Sequence, residues 1–193
     1  MDDHDSAEAA LWQRGLENDP RAFGEIFDLH KDRVFRHAFR LLLNTHDAED
    51  VTGTAFLELW RRRNSVRIVD GSLLPWLLVT VSNAASNARR STARYRKLLD
   101  KLPRSESPAT IEEEAVDRLE PFDEHLKSAM QALDPLDRNL VTLVILEGYP
   151  IRDAADLLTM SPGSAKTRLS RIKRNLRTDL AGTYAPSGQG EHS

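Results

Sequence analysis

The chain has 193 residues, of which 40% are hydrophobic and 30% charged, enough to bury a core in one domain or two small ones. It has no cysteine, which excludes a disulfide scaffold, thiolate metal sites and cysteine nucleophiles. The net charge of −3 hides a segregated distribution: residues 61–104 carry 11 Lys and Arg against 2 Asp and Glu, residues 138–177 carry 8 against 3, and residues 105–137 between them carry 2 against 10.

Residues 1–19 read as a tail or short helix, beginning with the acidic stretch Met1-Asp2-Asp3-His4-Asp5. That start lacks the basic-then-apolar pattern of a signal peptide. The longest nearly apolar runs, Leu73–Val79 and Leu140–Leu146, fall short of the ~18 residues a membrane helix needs. A cytoplasmic protein without membrane contact is expected. Phe23, Phe27, His30, Val34, Ala38 and Leu42 recur at three- and four-residue steps and mark one helix face, with room for a break near His30-Lys31-Asp32. Capping side chains follow at Asn44-Thr45-His46-Asp47. Ala48, Val51, Ala55 and Leu59 then line a second helix, widened by Phe56 and Trp60 and closed by Arg61-Arg62-Arg63-Asn64. Asp70-Gly71 signals a turn in the loop 65–72.

A third helix is expected from Pro75, with Leu77, Val81, Ala84 and Ala88 as its buried stripe. Asn83, Asn87, Arg90 and Arg94 fall on a second stripe about 120° away, an amide and guanidinium face beside an apolar one. Residues 103–121, with Pro103, Pro108 and Glu112-Glu113-Glu114, read as a flexible acidic linker with room for a short helix near Ile111–Leu119.

The last third reads as a compact helical unit. Phe122, Leu126, Ala129, Met130 and Leu133 mark one helix; Asp134-Pro135 caps the next, with Leu136, Leu140, Leu143 and Val144 as its core face and Gly148 as its stop. Ala154, Ala155, Leu157 and Leu158 come next, then a tight turn at Thr159-Met160 and a second cap-and-proline pair, Ser161-Pro162. The final helix buries Ala165, Leu169, Ile172 and Leu176 and presents Ser164, Lys166, Thr167, Arg168, Ser170, Arg171 and Arg174 elsewhere. A short helix, a tight turn and a capped basic helix make a helix-turn-helix, which lays its second helix in the DNA major groove. Arg and Lys there pair with guanine or phosphate, and Ser and Thr with several base edges. The fold expected is all-α: two small helical domains, 20–102 and 122–180, joined by the linker 103–121 and followed by a disordered tail, 181–193. Two basic blocks suggest two contacts with a polyanion.

Asp134 through Gly148, Ile151-Arg-Asp-Ala-Ala-Asp-Leu-Leu and Ser161-Pro-Gly-Ser-Ala-Lys-Thr-Arg-Leu-Ser-Arg resemble the C-terminal DNA-binding domain of bacterial sigma factors. Ala22-Phe-Gly-Glu-Ile-Phe, Arg33-Val-Phe-Arg-His-Ala-Phe-Arg-Leu-Leu, Asp47-Ala-Glu-Asp-Val and Phe56-Leu-Glu-Leu-Trp look like the polymerase-binding domain of the same family, and Pro75-Trp-Leu-Leu with Ser82-Asn83 resembles its promoter-melting helix. Both in this order, joined only by a short linker, resemble the extracytoplasmic-function subclass.

The resemblance implies a dissociable promoter-specificity subunit with core RNA polymerase and promoter DNA as partners, and an anti-sigma protein as a further candidate partner. It implies docking on polymerase through the Asp47–Arg63 helix, with Asp47, Glu49, Asp50, Thr54 and Glu58 at the contact, and places Asn83 where the family reads an unstacked minus-ten base. By position in the family motif, Lys166, Arg168 and Arg171 are the foremost minus-thirty-five contacts. Gly53 and Thr54 depart from the usual Gln and acidic residue, Pro150 from the usual Ser cap, and Thr159 from the usual turn Gly.

No glycine-rich phosphate loop or zinc-ligand pattern is present, and His30, His37 and His46 have no carboxylate-histidine pairing at ligand spacing. No catalytic residue, metal, cofactor or small-molecule substrate is therefore expected. Trp12, Trp60 and Trp76 read as core or domain-packing residues. A stand-alone helix-turn-helix regulator explains the C-terminus equally well, but not the Asn83, Asn87, Arg90 and Arg94 stripe.

Overall fold

Several helices of this chain start where a short polar side chain, Asp19, Asn44, Asp134 or Ser161, takes up loose backbone N–H groups. The computed structural model describes residues 3–99, 128–130 and 132–183. The expected linker, its short helix and most of the expected helix around Phe122–Leu133 lie outside the described residues. Helix α1 is Asp3–Leu16, α2 Pro20–Leu42, α3 Thr45–Arg61 and α4 Leu74–Leu99. In the C-terminal third, α5 spans Pro135–Leu140 and runs on as a π-helical turn, Val141–Leu146, followed by α6 (Ile151–Leu157) and α7 (Pro162–Thr183). Among the described residues the only β pairing is a single bridge between Val69 and Ser72, around a turn in which Asp70 (φ 52°) and Gly71 (φ 72°) are both left-handed.

Asp19 caps α2: its carboxylate accepts from Arg21 N at 2.9 Å and Ala22 N at 3.4 Å, with Pro20 in the first turn. Helix α2 is one unbroken run of 23 residues, so the allowed break near His30 does not occur. The reason is that His30 is satisfied inside the fold: its Nε2 bonds the Glu8 carboxylate at 2.7 Å. Glu8 also accepts from Leu73 N at 2.6 Å, so one buried carboxylate joins α1, α2 and the start of α4. Burial pushes the Glu8 carboxyl up, but the bonds from His30 and Leu73 outweigh it and hold it below its ordinary value.

The first half has one core. Trp12 of α1, Ile26 and Val34 of α2, Ala55 and Leu59 of α3, and Leu77 and Val81 of α4 all belong to it. Residues 1–19, read as a tail or short helix, thus hold α1 and bury Trp12, as expected of a core residue. Trp76 is half-buried against the same cluster, and Trp60, also half-buried, meets Phe23 edge-on at 5.2 Å. The buried stripe of α4 sits slightly round from the expected one: Leu74, Leu78, Ser82, Ala85 and Ser86 join Leu77 and Val81, while Ala84 and Ala88 are only half-buried. The shift follows from His37 of α2, whose Nε2 hydrogen-bonds Ser82 Oγ at 2.8 Å and so draws the polar side of α4 inward.

In the second half, Leu140 and Leu143 pack on Ala154 and Ala155 of α6 and on Ala165 and Leu169 of α7. Small residues on both facing helices let α6 and α7 approach closely. The expected straight helix through Val144 widens instead into the π turn, closed by Glu147 N to Thr142 O at 3.0 Å, before Gly148 (φ 77°) ends it.

Gly53 lies in the middle of α3, exposed, and a methyl group there meets nothing within 4 Å. Gly53→Ala is expected to stabilise the chain by ~0.5–1 kcal/mol and to raise the melting midpoint by a few degrees in a calorimetric scan. Burial pulls the His37 imidazole down to about 4, aided by repulsion from Arg40 and Arg138. Its neutral form is the folded one, so stability is unaffected above the ordinary value of 6.5 and falls as pH drops from there toward about 4. Urea unfolding should show the parent losing about 2 kcal/mol more than His37→Gln between pH 7 and pH 5.

Candidate nucleic-acid interface

Asn83, Asn87, Arg90 and Arg94 are all exposed along α4, as their spacing requires. Arg90 donates to Asn87 Oδ1 at 2.6 Å, so two members of the stripe hold each other. Asn83 stands one residue after Ser82 and is held from outside its own domain: its Oδ1 accepts from Asn139 Nδ2 of α5 at 3.3 Å.

The helix-turn-helix is built from α6 and α7. Thr159 takes φ 56°, the left-handed geometry that the turn needs, and Met160 N bonds Ala155 O at 2.9 Å across it. Ser161 Oγ accepts from Ser164 N at 3.1 Å and caps α7. Ala165, Leu169 and Ile172 are buried, Leu176 is half-buried, and Ser164, Lys166, Thr167, Ser170 and Arg174 are exposed. Arg168 and Arg171 differ from these. Both lie on the flank that meets α5 and both bond the buried Asp137: Arg168 to its Oδ1, and Arg171 to its Oδ2 at 2.9 Å. Arg168 also reaches Asp134 Oδ2 at 3.5 Å. The Asp137 bond is the main reason the Arg168 guanidinium lies above its ordinary value. Lys166 sits on the other side of the helix.

On α3, Asp47, Glu49, Asp50 and Thr54 are exposed, while Glu58 is half-buried and takes Arg61 at 3.4 Å and Arg62 at 2.9 Å. This surface lies on a different helix from the stripe and from the helix-turn-helix.

The two halves touch. Arg138 of α5 reaches into the first half and donates to Ser86 Oγ at 2.7 Å, while its other nitrogens donate to Met130 O and Leu133 O, each at 2.9 Å. Burial lowers its guanidinium from the ordinary value, and the neighbouring Arg89 adds to the effect. Arg33 pairs with Glu147, and Arg67 with Asp156 at 3.1 Å. Val79 of α4 packs on the Leu140 cluster. The Asp137, Arg138 and Asn139 contacts were not legible from helical spacing. Their signal was there in another form: three polar residues in a row between Leu136 and Leu140 of a core helix.

Residues 26–95 match Sigma-70 region 2, and residues 124–176 match Sigma-70 region 4. Over 158 residues the chain is 33% identical to the RNA polymerase sigma factor CarQ of Myxococcus xanthus, covering 81% of this chain and 87% of that one. The chain belongs to the extracytoplasmic-function sigma factors. It is 28% identical over 163 residues to the ECF sigma factor SigE of Mycolicibacterium smegmatis, covering 83% of this chain and 62% of that one. In fold it resembles the sigma factor RpoE of Bartonella quintana, solved with the anti-sigma factor NepR, at a TM-score of 0.56 and 23% identity over 82% of this chain and 96% of that one. The region 2 match sets aside the stand-alone regulator, which has no use for such a domain. The sigma factor is thus a promoter-specificity subunit of RNA polymerase.

The contact between the halves of this sigma factor should open by charge reversal at its rim. Exposed ion pairs contribute ~0–1 kcal/mol each, and like charges repel by similar amounts. Arg33→Glu with Arg67→Glu, facing Glu147 and Asp156, should increase the radius of gyration in small-angle scattering and leave the helical circular dichroism unchanged.

Proposed function

We propose that the two exposed surfaces divide promoter recognition between them. The α4 stripe of Asn83, Asn87, Arg90 and Arg94 takes the minus-ten element; Ser164, Lys166, Thr167, Arg168, Ser170, Arg171 and Arg174 of α7 take the minus-thirty-five element. Asp47, Glu49, Asp50, Thr54 and Glu58 of α3 contact core polymerase. The supporting observation is the pairing, in one chain, of an exposed amide and guanidinium stripe with a capped basic helix of a helix-turn-helix.

The chemistry suits this division. An amide offers both a donor and an acceptor to one flipped base, and extrusion costs a few kcal/mol that edge hydrogen bonds recover. Guanidinium groups beside the stripe neutralise the adjacent phosphates. The sigma factor performs no covalent chemistry and uses no metal, cofactor or small-molecule substrate. It works in the cytoplasm, where its polymerase is, and among the described residues no helix is long and apolar enough to cross a membrane. Its domains follow the spans 20–102 and 122–180, with α1 added to the first. An anti-sigma protein is a further partner, on the analogy of the relative solved with NepR.

With the two halves in contact, Asn139 occupies Asn83 and Arg138 occupies Ser86. A minus-ten base therefore displaces the C-terminal half from α4 before it is read. Run-off transcription on promoters near the chain's own gene, with and without core polymerase, tests the reading. Transcripts should require both proteins. Asn83→Ala should keep polymerase binding and lose open-complex formation; normal opening by the variant removes Asn83 from the minus-ten site.

A further inference from the structure

Asp137 is a carboxylate with 8% of its side chain exposed, in the first turn of α5, where Asp134 caps its backbone N–H at 2.9 Å. Its two oxygens are divided between two guanidinium groups of α7 three residues apart, Oδ1 to Arg168 and Oδ2 to Arg171. The two arginines are not equivalent. Arg168 is 30% exposed and bonds both Asp134 and Asp137, so it braces α5 against α7. Arg171 is 51% exposed and gives Asp137 one nitrogen, Nη2.

A guanidinium has five N–H groups in a planar fork. With one hydrogen of Nη2 on Asp137, the Arg171 fork is tethered on one side. The second hydrogen of Nη2 and those of Nη1 still form a two-toothed edge of the kind that pairs with guanine O6 and N7. An arginine already held by a carboxylate loses less rotamer freedom when it binds, and its aim is narrower. We propose that Asp137 is a specificity-determining positioning residue: from α5 it aims the Arg171 fork at one guanine of the minus-thirty-five element. This rests on α7 being the reader of that element. The aiming group lies outside the recognition helix, so base choice by this helix-turn-helix depends on a residue that itself touches no DNA.

The test uses holoenzyme reconstituted from the full chain and core RNA polymerase, with a promoter pool randomised across the minus-thirty-five segment and the bound fraction sequenced. Wild type should enrich a guanine at one position, and Arg171→Ala should lose that preference. Asp137→Asn should lower discrimination at the same position by on the order of ten-fold and leave other positions unchanged. In the Arg171→Ala background, Asp137→Asn should change the profile no further. Asp137→Glu, which keeps the charge and moves the carboxylate outward, should shift the preference at that position alone, and it carries the test if the Asn variant does not fold. An unchanged profile, or a change that scales all sequences alike, overturns the proposal, because a brace or a mask acts without regard to base. Absence of any enrichment with wild type overturns the promoter reading itself, a result distinct from a wild-type preference that is indifferent to Asp137.

Discussion

Asp137, Arg138 and Asn139 form an unbroken polar run that lies buried where a core helix begins, and burying such groups is costly unless each finds a partner. Each finds one in a different direction. Asp137 takes two arginines of α7, Arg138 takes two carbonyls of its own domain and a serine of the other, and Asn139 takes Asn83. Successive residues of a helix point about 100° apart, so three neighbours face three elements at once. The orientation of α7 against α5, and of the C-terminal half against α4, therefore share one origin. Behind Ser86 the chain of bonds continues inward, through Ser82 O at 2.8 Å and Ser82 Oγ to His37, so the contact between halves rests on the core of the first.

That contact is polar and incompletely satisfied. Among the described residues there, Asn139 Oδ1 is buried without a hydrogen-bond partner, and a buried polar atom left unpaired costs ~1–3 kcal/mol. The two ion pairs at its rim, Arg33 with Glu147 and Arg67 with Asp156, have exposed arginines and contribute little in water. Each half, by contrast, keeps its own apolar cluster. A joint between two such clusters, held by polar contacts and by Val79 alone of the first half's apolar side chains on the second cluster, is expected to separate without unfolding either, as a protein that must span two DNA elements requires.

Helical spacing made much of this legible in the sequence. The caps at Asn44, Asp134 and Ser161, the turn at Asp70-Gly71, the stop at Gly148 and the exposed stripe of α4 all stand where short-range chemistry put them. The features that stayed hidden depend on distant partners. His30 looked like a point where a helix could break, because nothing nearby in sequence announces Glu8 beneath it. Trp12 was legible as a core residue, but the length of the helix that carries it was not, because that helix has its packing partner in α2. At the candidate site, spacing located Arg168 and Arg171 on the correct helix but treated them like Lys166. Only the packed structure shows that a carboxylate on another helix holds them and leaves Lys166 in solvent.

The π turn at Val141–Leu146 closes on a five-residue step, Thr142 to Glu147, where an α-helix would close on four. The helix thus carries a residue more than a regular path would use. The widened turn absorbs that surplus, so the chain beyond it keeps its phase, and the next residue is Glu147, the partner of Arg33 in the other half. Deleting one residue from this turn would let the helix wind regularly and would leave Glu147 close to its present position, facing α2. The fold would keep its cores, its helix-turn-helix and the angle at which the two halves meet. A single codon lost at this turn is therefore a change that the helix can take up locally, without resetting the geometry between the two domains.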